Sequence, residues 1–327
     1  MNKGNLKRIE NTSSNGQKKG PVKQIISVSR RTDIPAFYSK WFINRVREGY
    51  ANYPNPIYPK RIHTVSLSPE TVAGFVFWTR NPKPLMPHLE ELDNLGFAYY
   101  FQYTVVNYPK NIEPHSPQLD KAIKTFAELS RRIGKNKVIW RYDPIIINTD
   151  GLDVSWHKEN FRKILHELSE FTEKVIVSIV DPYEKTKRQI GDEQSGTQYE
   201  PNEYKDLLSW IVKQATGAGI IVQSCGEALL SVKGIEKGAC VDANLMEHIS
   251  GSKVSKARHN QRDGCLCHRS VDIGVNNTCG FGCKYCYATN HEQAVKAIRL
   301  HKPRWKCLTG DFDATVIPKN KHLPQPG

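Results

Sequence analysis

Short apolar or β-branched runs alternate with amphipathic helical stretches along most of this chain, and that alternation constrains the fold more than any other feature. The runs fall at 24–29, 63–67, 72–78, 98–105, 137–140, 174–179 and 219–223, with helical patterns at 38–47, 119–133, 156–171 and 204–215, and a Pro-rich excursion at 53–59. A strand followed by a helix of this length brings the chain back as a parallel neighbour, since parallel pairing needs a crossover. Six or seven such units predict an α/β fold, a complete or partial (β/α) TIM-type barrel, with a doubly wound open sheet as the alternative.

The residues that follow the runs are polar. In a parallel barrel all strand ends open on one face, the face that carries the site in barrel enzymes. Arg30, Arg31, Asp33, Arg80, Arg141 and Asp143 are therefore candidate catalytic residues, and Thr79, Gln102, Ser178, Asp181 and Glu227 candidate cofactor contacts. Ser, Thr and Asp at strand ends also cap helices. Arginine does not cap, and its guanidinium matches planar or tetrahedral oxyanions, so the four arginines argue for a site.

The chain has eight cysteines, and seven of them lie between positions 225 and 286. The N-terminal residues have no apolar stretch fit for a secretory signal, which places the expected protein in the cytoplasm, where cysteines read as metal ligands or catalytic thiols. Cys279, Cys283 and Cys286 form C-x3-C-x2-C with Gly280 and Gly282 between them. Three thiolates in eight residues can wrap a compact 4Fe-4S cluster, leaving one iron without a protein ligand, and the glycines allow close backbone approach. Zinc is the alternative, though a structural zinc site takes four ligands. Cys225, Cys240, Cys265 and Cys267 supply the ligand count for a second site, either 4Fe-4S or zinc; in the plainer reading Cys225 and Cys240 are small buried apolar groups.

With Tyr285 just before its last cysteine, the triad resembles the radical S-adenosylmethionine (radical SAM) signature, and Tyr-Cys-Tyr at 285–287 is similar to the cluster loop of spore photoproduct lyase. The segments 29–33, 76–82 and 140–144, together with the C-terminal cysteines, resemble a bacterial family catalogued only as a domain of unknown function. Radical SAM enzymes usually carry this loop after the first barrel strand, so the resemblance implies a circularly permuted barrel in which 270–275 is that strand and 288–301 the helix behind it. It also implies that S-adenosylmethionine binds the open iron, that Tyr285 lies in the cofactor site, and that a reductant such as flavodoxin or ferredoxin supplies an electron. The Gly-Gly-Glu element common in that group is not evident after 24–29.

Composition narrows the class. With 47 Lys+Arg against 33 Asp+Glu, the formal charge of +14 favours a polyanionic partner such as nucleic acid, although part of the excess sits in the tails. No apolar run approaches the roughly 20 residues of a membrane span. The expected organisation is a disordered basic tail at 1–22, a barrel at 23–310 with its cysteine segment at 265–290, and an extended arm at 311–327. Three functions remain open: a radical SAM enzyme on nucleic acid, in base modification or repair; a radical SAM enzyme on a small molecule or peptide; and an iron-sulfur or zinc protein without radical chemistry.

Overall fold

The computed structural model describes residues 21–147, 151–180, 201–224, 226, 231–258 and 264–315. In chain order the elements are β1 (Gln24–Val28), α1 (Ile34–Phe37), α2 (Ser39–Arg47), β2 (Tyr50–Pro54), β3 (Ile62–Ser66), β4 (Val72–Thr79), α3 (Leu89–Asn94), β5 (Ala98–Thr104), α4 (Leu119–Ile133) and β6 (Val138–Ile145). There follow α5 (Val154–Leu168), β7 (Lys174–Ile179), α6 (Pro201–Gly217), β8 (Ile221–Ser224), β9 (Glu236–Lys237), α7 (Ala243–Ser250), β10 (Val271–Asp272) and α8 (His291–Leu300).

Local rules account for the helices. Buried Leu119, Ala122, Phe126, Leu129 and Ile133 recur at three and four residues and make one apolar stripe on α4, which stops at Gly134, where φ is +95°. The Asp153 carboxylate caps α5 by accepting from the Trp156 amide at 2.7 Å, and Asn290 caps α8 through the Gln293 amide at 3.1 Å.

The main sheet runs β10-β1-β4-β5-β6-β7-β8-β9, and every neighbouring pair is parallel. Side chains alternate between its faces with period two. On one face Ile26, Phe75, Phe77, Phe101, Trp140 and Val177 form a single core with Trp41 and Phe42 of α2, Phe126 of α4, Phe161 of α5 and Leu207 of α6. Each fully buried phenylalanine there contributes roughly 1.5–3 kcal/mol. On the other face Ile25, Ala73, Val76, Tyr100, Ile139 and Ile176 lie under Met246 of α7, together with Cys240, Cys265 and Cys267. Gly74 makes that packing close, because a Cβ there would meet the Met246 sulfur at 2.5 Å.

The expected α/β class with a parallel sheet holds, and the complete barrel among its alternatives does not. The edge strands β9 and β10 do not pair, so no complete barrel closes among the described residues. The helices α2, α4, α5 and α6 share one face, which is not the doubly wound arrangement. The excursion at 53–59 begins inside β2, which pairs antiparallel with β3 from Tyr50↔Ser66 to Pro54↔Ile62. The start of the expected C-terminal arm lies along the same hairpin, where the Thr315 amide donates to the Ile62 carbonyl at 3.0 Å. Among the described residues no helix is long and apolar enough to cross a membrane.

Candidate metal centre

β10 pairs with β1 in parallel through Ile26↔Val271 and Ser27↔Asp272. The cysteine loop that leaves β10 therefore opens on the same sheet edge as the segments following β1, β4, β5 and β6. Asp272 holds this junction. Its carboxylate accepts from the Ser27 hydroxyl (2.8 Å), the Ser29 hydroxyl (2.5 Å), the Arg30 amide (2.9 Å) and the Gly274 amide (3.0 Å). It also pairs with the guanidinium groups of Arg30 (3.6 Å) and Arg31 (3.3 Å). Burial alone would raise its pKa, yet Arg31 and Arg30 hold it below the usual carboxylate value.

The loop itself is pinned from several directions. Tyr38 of the α1–α2 junction donates to the Thr278 carbonyl at 2.7 Å, the Lys284 amide donates to Ile112, and Asn277, at φ +60°, donates its amide to Ala288. The space beside the two glycines is filled by protein. A Cβ at Gly280 would meet the Phe37 ring at 2.8 Å, and one at Gly282, itself at φ +69°, would meet His291 Nδ1 at 2.9 Å. Cys279, Cys283 and Cys286 are free thiols and half-buried.

Arg80, just past the end of β4, supplies the positive charge that faces Cys283 and Cys279. It donates to Glu113 at 2.9 Å and to the Tyr285 hydroxyl, which in turn donates to Glu113 and hydrogen-bonds with Cys283. Burial pushes the Cys279 thiol well up and Cys283 up to about 12, the latter despite the opposing pull of Arg80. Asp33 accepts from the Arg80 amide (2.7 Å), the Thr79 hydroxyl (2.8 Å) and the Ala36 amide (2.9 Å). Burial outweighs these donors and raises its carboxyl to about 7. Thr79 thus serves as a support for Asp33.

The remaining candidates line the face of the sheet that packs under α7, opposite α2, α4, α5 and α6 and termed the concave face, where Arg141 pairs with Asp143, Asp143 accepts from Ser178, and Arg141 donates to the Cys240 sulfur at 2.8 Å. The guanidinium groups of Arg141 and Arg30 lie 5.0 and 5.7 Å from the Trp78 ring. Gln102 is fully buried and donates to the Cys240 carbonyl at 2.9 Å. Asp181, Glu227 and Cys225 lie outside the described residues.

The structure thus brings Arg80, Asp33 and Tyr285 to the triad, Arg30 and Arg31 to the root of its loop, and Arg141, Gln102, Asp143 and Ser178 to the second cysteine set. None of the four arginines is a bare cation, since Arg30 and Arg31 share Asp272, Arg80 has Glu113 and Arg141 has Asp143. Four guanidinium groups on three carboxylates leave one surplus positive charge, at Arg30 and Arg31. Glu113 and the role of Asp272 were not read from sequence. Asp272 ends the two-residue β10, whose shortness left little signal, and Glu113 sits in an aperiodic loop and had none. Among the described residues no three His, Cys, Asp or Glu side chains converge on a single ion.

Residues 25–288 match the family described as "Domain of unknown function (DUF1848)", and the chain belongs to that family. No curated protein matches it. One similar solved structure is that of a provisionally assigned alpha-L-fucosidase from Bacteroides thetaiotaomicron VPI-5482, at 8% identity and a TM-score of 0.27, covering 89% of this chain and 98% of the other. That likeness is too weak to carry an argument.

Proposed function

We propose that this member of a family of unknown function is a radical SAM-type iron-sulfur enzyme built on a permuted partial barrel, acting on nucleic acid. The observation that carries the reading is the position of the C-x3-C-x2-C loop. It leaves a strand that lies beside β1, and it meets the ends of β1 and β4 through Asp272, Asp33 and Arg80.

The donor set fits a 4Fe-4S cluster. Three free thiols sit within eight residues, each able to take a separate iron, and the cation of Arg80 lies beside two of them to offset thiolate charge. Cys279, Cys283 and Cys286 would hold the cluster, which when bound supplies an open iron and an electron for cleaving S-adenosylmethionine to methionine and a 5'-deoxyadenosyl radical. Glu113 and Tyr285 fix the Arg80 guanidinium in place. The surplus cation at Arg30 and Arg31 suits a carboxylate or phosphate oxyanion, since a guanidinium can offer paired donors. Tyr285 is tied to Arg80 and Glu113, which fixes the residue before Cys286 in place. The charge of +14 supports a nucleic-acid substrate.

The test is reductive cleavage of S-adenosylmethionine by anaerobically purified protein. Wild type is expected to release 5'-deoxyadenosine, and C279A/C283A/C286A none. Cluster-loaded, reduced wild type that fails to cleave it, with and without nucleic acid, refutes the proposal. Cleavage combined with nucleic-acid affinity that shows no salt dependence refutes the substrate class alone.

A further inference from the structure

We infer that the concave face of the sheet holds a second iron-sulfur site, on Cys240, Cys265 and Cys267. These thiols come from two segments that lie side by side, since the His268 amide donates to the Val241 carbonyl at 3.0 Å and the Ala243 amide donates to His268 Nδ1 at 3.2 Å. All three are at most 6% exposed, and they share one cluster of buried side chains with Ile25, Tyr100, Ile139 and Ile176 of the sheet. The backbone of Cys240 is fixed from β5, where the Tyr100 hydroxyl and the Gln102 amide both donate to its carbonyl at 2.9 Å. Cys240 and Cys267 both lie close enough to the Tyr100 phenol to raise its pKa, after the larger effect of burial.

The polar surroundings distinguish this set from ordinary buried cysteine. A neutral thiol packs as a small apolar group and needs no cation. Here the Arg141 guanidinium, itself 8% exposed, places an N–H 2.8 Å from the Cys240 sulfur. Its charge is met by Asp143, yet one N–H is turned to the Cys240 sulfur, a weak acceptor while the thiol is neutral. Donating to a metal-bound thiolate is favourable, and such outer donors are a regular part of thiolate metal sites.

Spacing favours a cluster over one ion. Cys265 and Cys267 both enter the concave-face cluster, while Leu266 between them does not. The stretch is bridged to Gly226 at Cys265 and to Arg258 at His268. Two steps along extended chain separate same-side groups by about 7 Å, whereas two sulfurs on one tetrahedral zinc lie about 4 Å apart. No three ligands converge on one ion among the described residues. In an iron-sulfur cluster each cysteine binds a different iron, which tolerates the wider spacing.

The inference stands apart from the proposed radical chemistry, and one set of preparations separates them. Iron, sulfide and zinc are measured in anaerobically purified wild type, C279A/C283A/C286A and C240A/C265A/C267A, with Mössbauer spectra and circular dichroism on each. The variant lacking the triad is expected to keep half of the wild-type iron and sulfide with a cluster spectrum. Absence of iron from that variant while wild type retains it, or zinc in its place, overturns the inference and leaves the triad reading intact. Iron retained there alongside wild type that fails to cleave S-adenosylmethionine sustains the second site and removes the function. Should C240A/C265A/C267A not fold, R141Q in the triad-null background replaces it. Loss of the guanidinium is expected to lower the residual cluster's reduction potential, and an unchanged potential overturns the inference.

Discussion

Replacing Asp272 by Asn should separate the sheet edge from the cysteine loop, and the size of the effect follows from what the carboxylate holds. Asn has nearly the same shape, so packing survives while the negative charge goes. Arg30 and Arg31 then remain together with no counter-ion, both only 13% exposed in their side chains. Stranding a buried charge typically costs about 3–5 kcal/mol, and the residual solvent contact places this case near about 3 kcal/mol. With a urea slope of about 3 kcal/mol per molar, the unfolding midpoint of D272N should fall by about 1 M. Adding R31M removes one stranded cation and should recover part of the loss. Iron content should fall with the midpoint, because Asp272 also accepts from the Gly274 amide at the root of the loop. A D272N midpoint within about 0.2 M of wild type would refute the reasoning, since it would mean that water or other groups already satisfy both guanidinium groups.

Two further outcomes follow. His157 is fully buried between Tyr142 and the Ile146 carbonyl, and burial lowers its pKa to about 4. Between that value and about 6.5 the unfolded chain binds a proton there that the folded chain does not, so the His157 contribution to stability rises with pH across the window, by about 3 kcal/mol in total. Asp33, whose folded carboxyl is raised to about 7, acts in the opposite sense over the same range, so the His157 contribution is read as a difference: in urea titrations from pH 4.5 to 7 wild type should gain stability relative to H157Q as pH rises, and parallel curves would contradict the assignment. G74A should destabilise by about 1–3 kcal/mol, because its Cβ meets the Ala98 carbonyl and the Met246 sulfur, and an unchanged melting temperature would show that α7 yields freely.

Sequence reading found the elements whose signals are local. The 119–133 helix was placed to the residue because its apolar spacing and its stop at Gly134 are both in the sequence. The run at 137–140 was cut short, since Arg141, Tyr142 and Asp143 look like loop, although they continue β6 with Arg141 turned to the concave face. The eight-residue α7, with Asp242 as cap and Gly251 as stop, was missed between isolated cysteines. The expected strand at 270–275 is two residues long, and its place rests on Asp272 more than on any apolar run. In the candidate site the cysteine spacing was plain, and so were the arginines that follow β1 and β4. Which carboxylate meets which arginine was not, because Glu113 reaches Arg80 across 33 positions and Asp272 reaches Arg30 across 242. Pairings at that distance leave no periodic trace.

The position of β10 has a consequence for how the protein comes into being. Its partner β1 is made long before it, and Ile26↔Val271 separates the two by 245 residues of chain. Closing a loop of that length costs about 5 kcal/mol of chain entropy, and two residues of ladder return little of it. Before β10 docks, the ribosome has released β1 and β4 through β9, whose neighbours pair in order of emergence. The cysteine triad therefore joins a frame that is already folded, and the Asp272 contacts act as the final latch. Maturation would then begin only after the loop through Cys286 has left the ribosome, and a nascent chain stalled short of residue 271 would carry the sheet without its proposed metal centre.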